Sequence, residues 1–155
     1  MMKDDIVTLM PQLRAFSRFL CREMEAADEL VQNTVLAALS KQSQFSPGSN
    51  LKAWLFTIMR NRFYSDLRAQ RRQTISMDED VAKPIPAADN PETALALKEL
   101  SSAIWELSPE SREALVLVGA GGFSYEEAAS LCNCSVGTLK ARVSRARKRL
   151  ACKLG

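Results

Sequence analysis

The stretch SYEEAASLCNCSVGTLKARVSRARKRL, residues 124–150, decides how the chain folds. Ser124 with Glu127 three residues later is a capping box: hydroxyl and carboxylate each satisfy a backbone N–H that a first helical turn leaves unpaired. A helix therefore starts at Tyr125 and carries YEEAASL. CNCS, residues 132–135, breaks it, and Val136 opens a second helix. There Val136, Leu139, Val143, Ala146 and Leu150 recur at spacings of 3 and 4 and form one apolar stripe. The remaining surface is cationic, because residues 136–155 hold seven Lys and Arg and no Asp or Glu. For a charge run alone, a solvated basic face is the plainest reading. Here two short helices meet at a tight turn, with small Ala128 and Ala129 in the first. That is the helix-turn-helix arrangement, whose second helix enters the major groove.

Outward from this stretch the spacing stays helical. SPES at 108–111 supplies an N-cap, Ser108, and a proline at the first helical position. The helix it opens runs through Ala114, Leu115, Leu117 and Val118 and stops at GAGG, 119–122. Before it, Pro91 opens a helix carrying Leu95, Leu97, Leu100, Ile104 and Leu107. KPIPAADNP, 83–91, has three prolines and no hydrophobic period, and it follows the acidic MDED run. Residues 73–91 are therefore expected to be an exposed acidic linker between a domain over 1–72 and another over 92–155.

In the first domain, Leu9, Leu13, Phe16, Phe19 and Leu20 mark one helix, and Leu30, Val31, Thr34, Val35, Ala38 and Leu39 a second. FSPGSN, 45–50, reads as a turn. A third helix from Asn50 or Leu51 places Leu51, Trp54, Leu55, Ile58, Met59, Phe63 and Leu67 on an apolar face until RAQRR, 68–72. No strand-like alternation of any length occurs. The expected fold class is all-α, with two small helical domains.

Composition narrows the function. The chain has 155 residues, 46% hydrophobic, with a net charge of only +3. The distribution of charge says more than the total: residues 60–72 hold five basic residues against one acid, Asp66, so two cationic segments flank the acidic linker. No histidine is present, which removes the commonest general base and metal ligand. Four cysteines with a C-x-C pair at 132 and 134 lack the spacing of a zinc site. No catalytic residue, metal, cofactor or small-molecule substrate is expected. No apolar run is long enough to span a membrane, and the start MMKDDIVTLM lacks a signal peptide's basic and apolar regions, so a cytoplasmic place is expected.

SPESREALVLVGAGGFSYEEAASLCNCSVGTLKARVSRARKRL, 108–150, resembles region 4 of the extracytoplasmic-function (ECF) RNA polymerase sigma factors. ADELVQNTVLAAL, 27–39, and LKAWLFTIMRNRFYSDLR, 51–68, resemble their region 2. The variant GAGGFSYEEAA is similar to the general-stress-response branch called EcfG-like. The resemblance implies a sigma factor that binds core RNA polymerase and promoter DNA and has an anti-sigma factor as a further partner. It implies that Asp28, Glu29, Leu30, Gln32 and Asn33 contact the polymerase; Asn33 stands where the family usually has an acid. It implies that Phe45, Asn61 and Arg62 capture a base of the minus-ten element, with Arg60, Arg68, Arg71 and Arg72 on the strand backbone. Trp54, at i, i+4 from Ile58 on the apolar face, reads more readily as core than as a stacking platform. In region 4, Lys140, Ala141, Ser144 and Arg145 match positions facing bases of the minus-thirty-five element, and Thr138, Arg142 and Arg147 match backbone-contacting ones. Lys148, Arg149 and Lys153 add nonspecific attraction or solvate the helix end. Two other functions compete: a sigma-like mimic that sequesters an anti-sigma factor, and a conventional helix-turn-helix regulator. The cations of the second helix and the absence of a receiver-length extension oppose the mimic. The regulator leaves DELVQNT and LKAWLFTIMRN without a purpose.

Overall fold

A computed structural model of the chain describes residues 2–73 and 90–154. Its helices are α1 (Met2–Leu20), α2 (Met24–Ser40), α3 (Leu51–Gln73), α4 (Pro91–Trp105), α5 (Pro109–Val118), α6 (Tyr125–Leu131) and α7 (Val136–Leu154), with a 3-10 turn at Gln42–Gln44. The described residues contain no strand, and none of their helices is long and apolar enough to cross a membrane. The fold is all-α, in two compact units, α1–α3 and α4–α7.

Most of the expected linker, residues 74–89, lies outside the described residues. Its two ends are helical. α3 continues through RAQRR to Gln73, since Arg, Ala and Gln all favour helix and no breaker stands among them. Pro91 is the first residue of α4, and Asn90 caps it by accepting the Glu92 N–H at 2.9 Å.

The first unit is built around Leu13, Phe16 and Leu20 of α1, Ala27, Leu30, Val31 and Ala38 of α2, and Leu55, Phe56 and Met59 of α3. Phe16 and Phe56 stack at 4.6 Å with their planes 7° apart. Phe56 lies off the apolar stripe read from spacing. It is buried because α3 packs on α1 and α2 together, so two faces of that helix are covered. Thr34 is also fully buried and turns its hydroxyl back to the Leu30 carbonyl at 2.8 Å. Pro11 lies inside α1 on its exposed side, where solvent can satisfy the rung it interrupts.

In the second unit the caps fall where the sequence places them. Ser108 accepts the Ser111 N–H at 3.2 Å, and the Ser124–Glu127 capping box forms in both directions, at 3.0 and 2.9 Å. α5 ends as Gly119, Gly121 and Phe123 return their N–H groups to Leu115, Val116 and Leu117, which drives Phe123 into the core. A β-carbon on Gly121 would stand 2.6 Å from the Leu117 carbonyl, so only glycine fits. The turn between α6 and α7 is a Schellman motif: Asn133 adopts φ 55°, its N–H reaches Ser130, and the Cys134 N–H reaches Ala129 at 3.0 Å. Ser135 then caps α7 by accepting the Thr138 N–H at 3.1 Å.

α4 departs from its pattern. Leu95, Leu97 and Leu100 are 58%, 42% and 38% exposed, and Ala103 is the residue of this helix that is buried. Beneath it the buried charges are partnered. Arg112 donates to the Leu107 carbonyl at 3.2 Å and lies 3.9 Å from the centre of the Trp105 ring, and no buried side-chain nitrogen or oxygen among the described residues lacks a hydrogen bond.

Candidate functional site

Leu139, Val143 and Ala146 are buried and set the inward direction of α7. At about 100° per residue, Ala141, Ser144, Arg145 and Lys148 fall within about 55° of the opposite, outward direction, and Thr138 stands at the edge of that face, about 75° from it. All are exposed except Ala141, which is half-buried. This is one continuous face, with no acid on it, presented by a short rigid turn. Arg147 lies some 200° from Arg145 and projects from a flank instead. Arg142 occupies the other flank, half-buried.

Two residues stand apart from the groups in which the resemblance places them. Lys140, placed by resemblance with the base-facing residues, lies on the flank nearer α6, and its ammonium sits 5.5 Å from the centre of the Tyr125 ring. Thr138, placed with the backbone contacts, shares the outward face with Arg145, and its Oγ1 accepts from the Ser135 hydroxyl at 2.9 Å. Lys153 does more than solvate the helix end, because its ammonium pairs with Glu106 at the close of α4.

In the first unit, Ser46, Pro47, Gly48 and Ser49 form a turn closed by the Ser49 N–H on the Ser46 carbonyl at 3.1 Å, with Gly48 at φ 90°. Asn50 then caps α3 by accepting the Ala53 N–H at 3.1 Å. The turn brings Phe45 against Trp54, ring centres 5.1 Å apart and planes at 48°. Trp54 was expected in the core. It is instead half-buried, because Leu55, Phe56 and Met59 already fill the space between the helices and turn Trp54 toward the loop. Ile58 and Asn61 follow Trp54 at i+4 and i+7, so Asn61 stands on the same face about 10 Å further along. Ser65, Arg68 and Arg72 continue that line at helical spacing. Arg62 does not join it. It points about 100° away, where its Nε donates to Asp66 at 3.2 Å. An aromatic pair, an amide and a row of cations thus share one surface, which suits unpaired bases and their phosphates. The half-buried place of Trp54 beside Phe45 lies between the core and stacking readings of its spacing. The i, i+7 relation of Trp54 to Asn61 was the available signal for the stacking one.

On α2, Asp28, Glu29 and Gln32 are exposed and Asn33 half-buried. Leu30 is 4% exposed, so its side chain fills the core and is removed from the contact set. Leu36, one turn beyond Gln32, is 65% exposed and joins Glu29, Gln32 and Asn33 at spacings of 3 and 4.

Among the described residues, no group of three Cys, Asp or Glu side chains is placed to hold a metal ion. All four cysteines are free thiols. Burial, and then the Asp66 carboxylate, push the Cys21 thiol from 9.0 up to about 11. Two units mean roughly 100-fold less thiolate at neutral pH. Iodoacetamide should therefore label exposed Cys152 well before Cys21, as peptide mass mapping would show. Equal rates would contradict the placement of Cys21.

A tandem of helical units, one with an aromatic and amide surface and one with a basic recognition helix, defines a DNA-directed transcription factor of the sigma-70 type. Residues 97–150 match the family described as Sigma-70, region 4, and residues 6–60 match the Sigma2 domain of PhyR. The chain is 48% identical to the ECF RNA polymerase sigma factor EcfG of Rhodopseudomonas palustris (strain TIE-1), over 97% of this chain and 83% of that protein. It is 32% identical to the RNA polymerase sigma factor CarQ of Myxococcus xanthus, over 94% and 84% of the two chains. Among solved structures it is similar to the sigma factor RpoE of Bartonella quintana in complex with the anti-sigma factor NepR. That match has a TM-score of 0.85, 42% identity, and 99% and 96% coverage. The chain belongs to the ECF RNA polymerase sigma factors, on their EcfG-like branch.

Proposed function

We propose that this sigma factor carries core RNA polymerase to the promoters of a stress-response regulon, and that it does so by binding alone, with no catalytic step of its own. In this reading the α4–α7 unit holds the minus-thirty-five element, with Thr138, Ala141, Ser144 and Arg145 toward the bases and Lys140, Arg142 and Arg147 on the phosphates. The α1–α3 unit holds the melted minus-ten strand with Phe45, Trp54 and Asn61, while Arg68 and Arg72 track its backbone and Arg62 contributes from the side. The observation that carries the proposal is the outward face of α7, cationic and free of acids, held by a capped helix-turn-helix.

The exposed side of α2, Asp28, Glu29, Gln32 and Asn33, is assigned to the polymerase, since an acidic surface on a basic protein calls for a partner other than DNA. Replacing Asp28 and Glu29 by Arg is expected to weaken binding to core polymerase at least tenfold while leaving the helical circular dichroism unchanged. A folded double mutant of wild-type affinity would remove this assignment. The exposed leucines of α4, together with Leu36, are apolar surface suited to a small anti-sigma protein, and the likeness to the NepR-bound RpoE supports such a partner.

A second reading, a sigma-like mimic that only sequesters an anti-sigma factor, is supported by the match of residues 6–60 to the Sigma2 domain of PhyR. The cationic outward face of α7, free of acids, favours the initiation factor, because a mimic has no phosphates to meet.

A further inference from the structure

We propose that Tyr125 is a positioning residue for Lys140, and that the pair makes one contact to the phosphate strand bordering the groove, on the α6 side of α7. The inference rests on the reading of α7 as the recognition helix. Tyr125 is the first residue of α6, and the reciprocal bonds of the Ser124–Glu127 capping box, at 3.0 and 2.9 Å, fix the turn from which its side chain leaves. Its half-buried ring meets the exposed Lys140, whose ammonium lies 5.5 Å from the ring centre. A free lysine on a recognition helix samples many rotamers and can reach either the groove floor or the strand. The negative face of an aromatic ring holds the ammonium in one direction. Here that direction is the flank, away from the Ala141, Ser144 and Arg145 face. A compact ammonium with no fixed donor geometry suits a phosphate, whereas base edges demand directed bonds. The first helix of a helix-turn-helix crosses the DNA backbone, which puts Tyr125 and Lys140 on the same strand.

The test is a double-mutant cycle. Binding of wild type, Tyr125→Ala, Tyr125→Phe, Lys140→Ala and the double Ala variant is measured at several salt concentrations. The probes are a short duplex that wild type selects from a randomised pool, and its single-base variants. Tyr125→Ala is expected to weaken binding about two- to five-fold for every sequence alike. Tyr125→Phe keeps the ring and should bind as wild type. Lys140→Ala should lower the salt slope by about one without changing base preference, and in its background Tyr125→Ala should cost nothing more. Three results overturn the proposal: an equal Tyr125→Ala loss in both backgrounds, which would mark a merely structural ring; a Tyr125→Phe variant as weak as Tyr125→Ala, which would give the role to the hydroxyl; or base discrimination lost with Lys140. If Arg145→Ala flattens base preference while the cycle shows no coupling, only the Tyr125 inference falls. If neither Arg145→Ala nor Lys140→Ala alters binding, the recognition-helix reading falls with it.

Discussion

Leu139→Ala is expected to cost the α4–α7 unit roughly 3 kcal/mol and to abolish most DNA binding, while the α1–α3 unit stays folded. Leu139 is 0% exposed and belongs to the first turns of α7, the helix that packs on α4, α5 and α6. Its removal forfeits transfer free energy and leaves a cavity, since α7 packs on three other helices and a close-packed core has little room to close in. For a unit of this size, 3 kcal/mol is a large share of a stability on the order of 5 kcal/mol. DNA binding follows, because the outward face of α7 is presented only when its inward face is docked. The two tryptophans, Trp54 and Trp105, fall one in each unit and report them separately. Urea unfolding of Leu139→Ala, with Trp54→Phe to isolate Trp105, should show an early transition for the second unit. An unchanged Trp105 transition would mean that Leu139 is not the keystone its burial implies.

Arg145→Ala should lose roughly 1 to 3 kcal/mol of discrimination at one base pair, the value of a bidentate arginine contact to guanine, and flatten the preference there. Arg147→Ala should weaken all sequences alike and lower the salt slope by about one. The contrast follows from the helix: Arg145 shares the outward face with Ala141 and Ser144, and Arg147 leaves from the flank about 200° away. Ser144 next to Arg145 could take up part of the lost contact, so the loss at the preferred base is the lower bound of what Arg145 contributes. Binding to a single-base promoter library at several salt concentrations separates the two mutants. Uniform weakening by Arg145→Ala with an intact base preference would mean that a different face of α7 enters the groove.

Much of this was legible in residue order because the deciding signals are local. Ser108 and Ser124 cap the helices that follow them by bonds spanning three residues, and the apolar stripe of α7 needs only its own spacing. What escaped depends on contacts between distant segments. Trp54 has the spacing of a core residue, and only the closure of the 45–50 turn reveals its place beside Phe45. Leu95, Leu97 and Leu100 have the composition of a core helix, yet α4 gives its inner side to Ala103. Leu30 carries the motif that marks a contact helix, but a motif does not say which of its residues point inward. The ring beside Lys140 belongs to Tyr125, fifteen residues earlier, a contact that the spacing of α7 alone does not show.

The most direct test is transcription with purified core RNA polymerase on a template carrying a promoter selected by this chain. The chain should be required for a transcript of defined start, Asp28→Arg with Glu29→Arg should lose it through polymerase binding, and Arg145→Ala should lose it through the promoter. A wild-type chain that binds both polymerase and DNA but yields no promoter-specific transcript would contradict its assignment as an initiation factor.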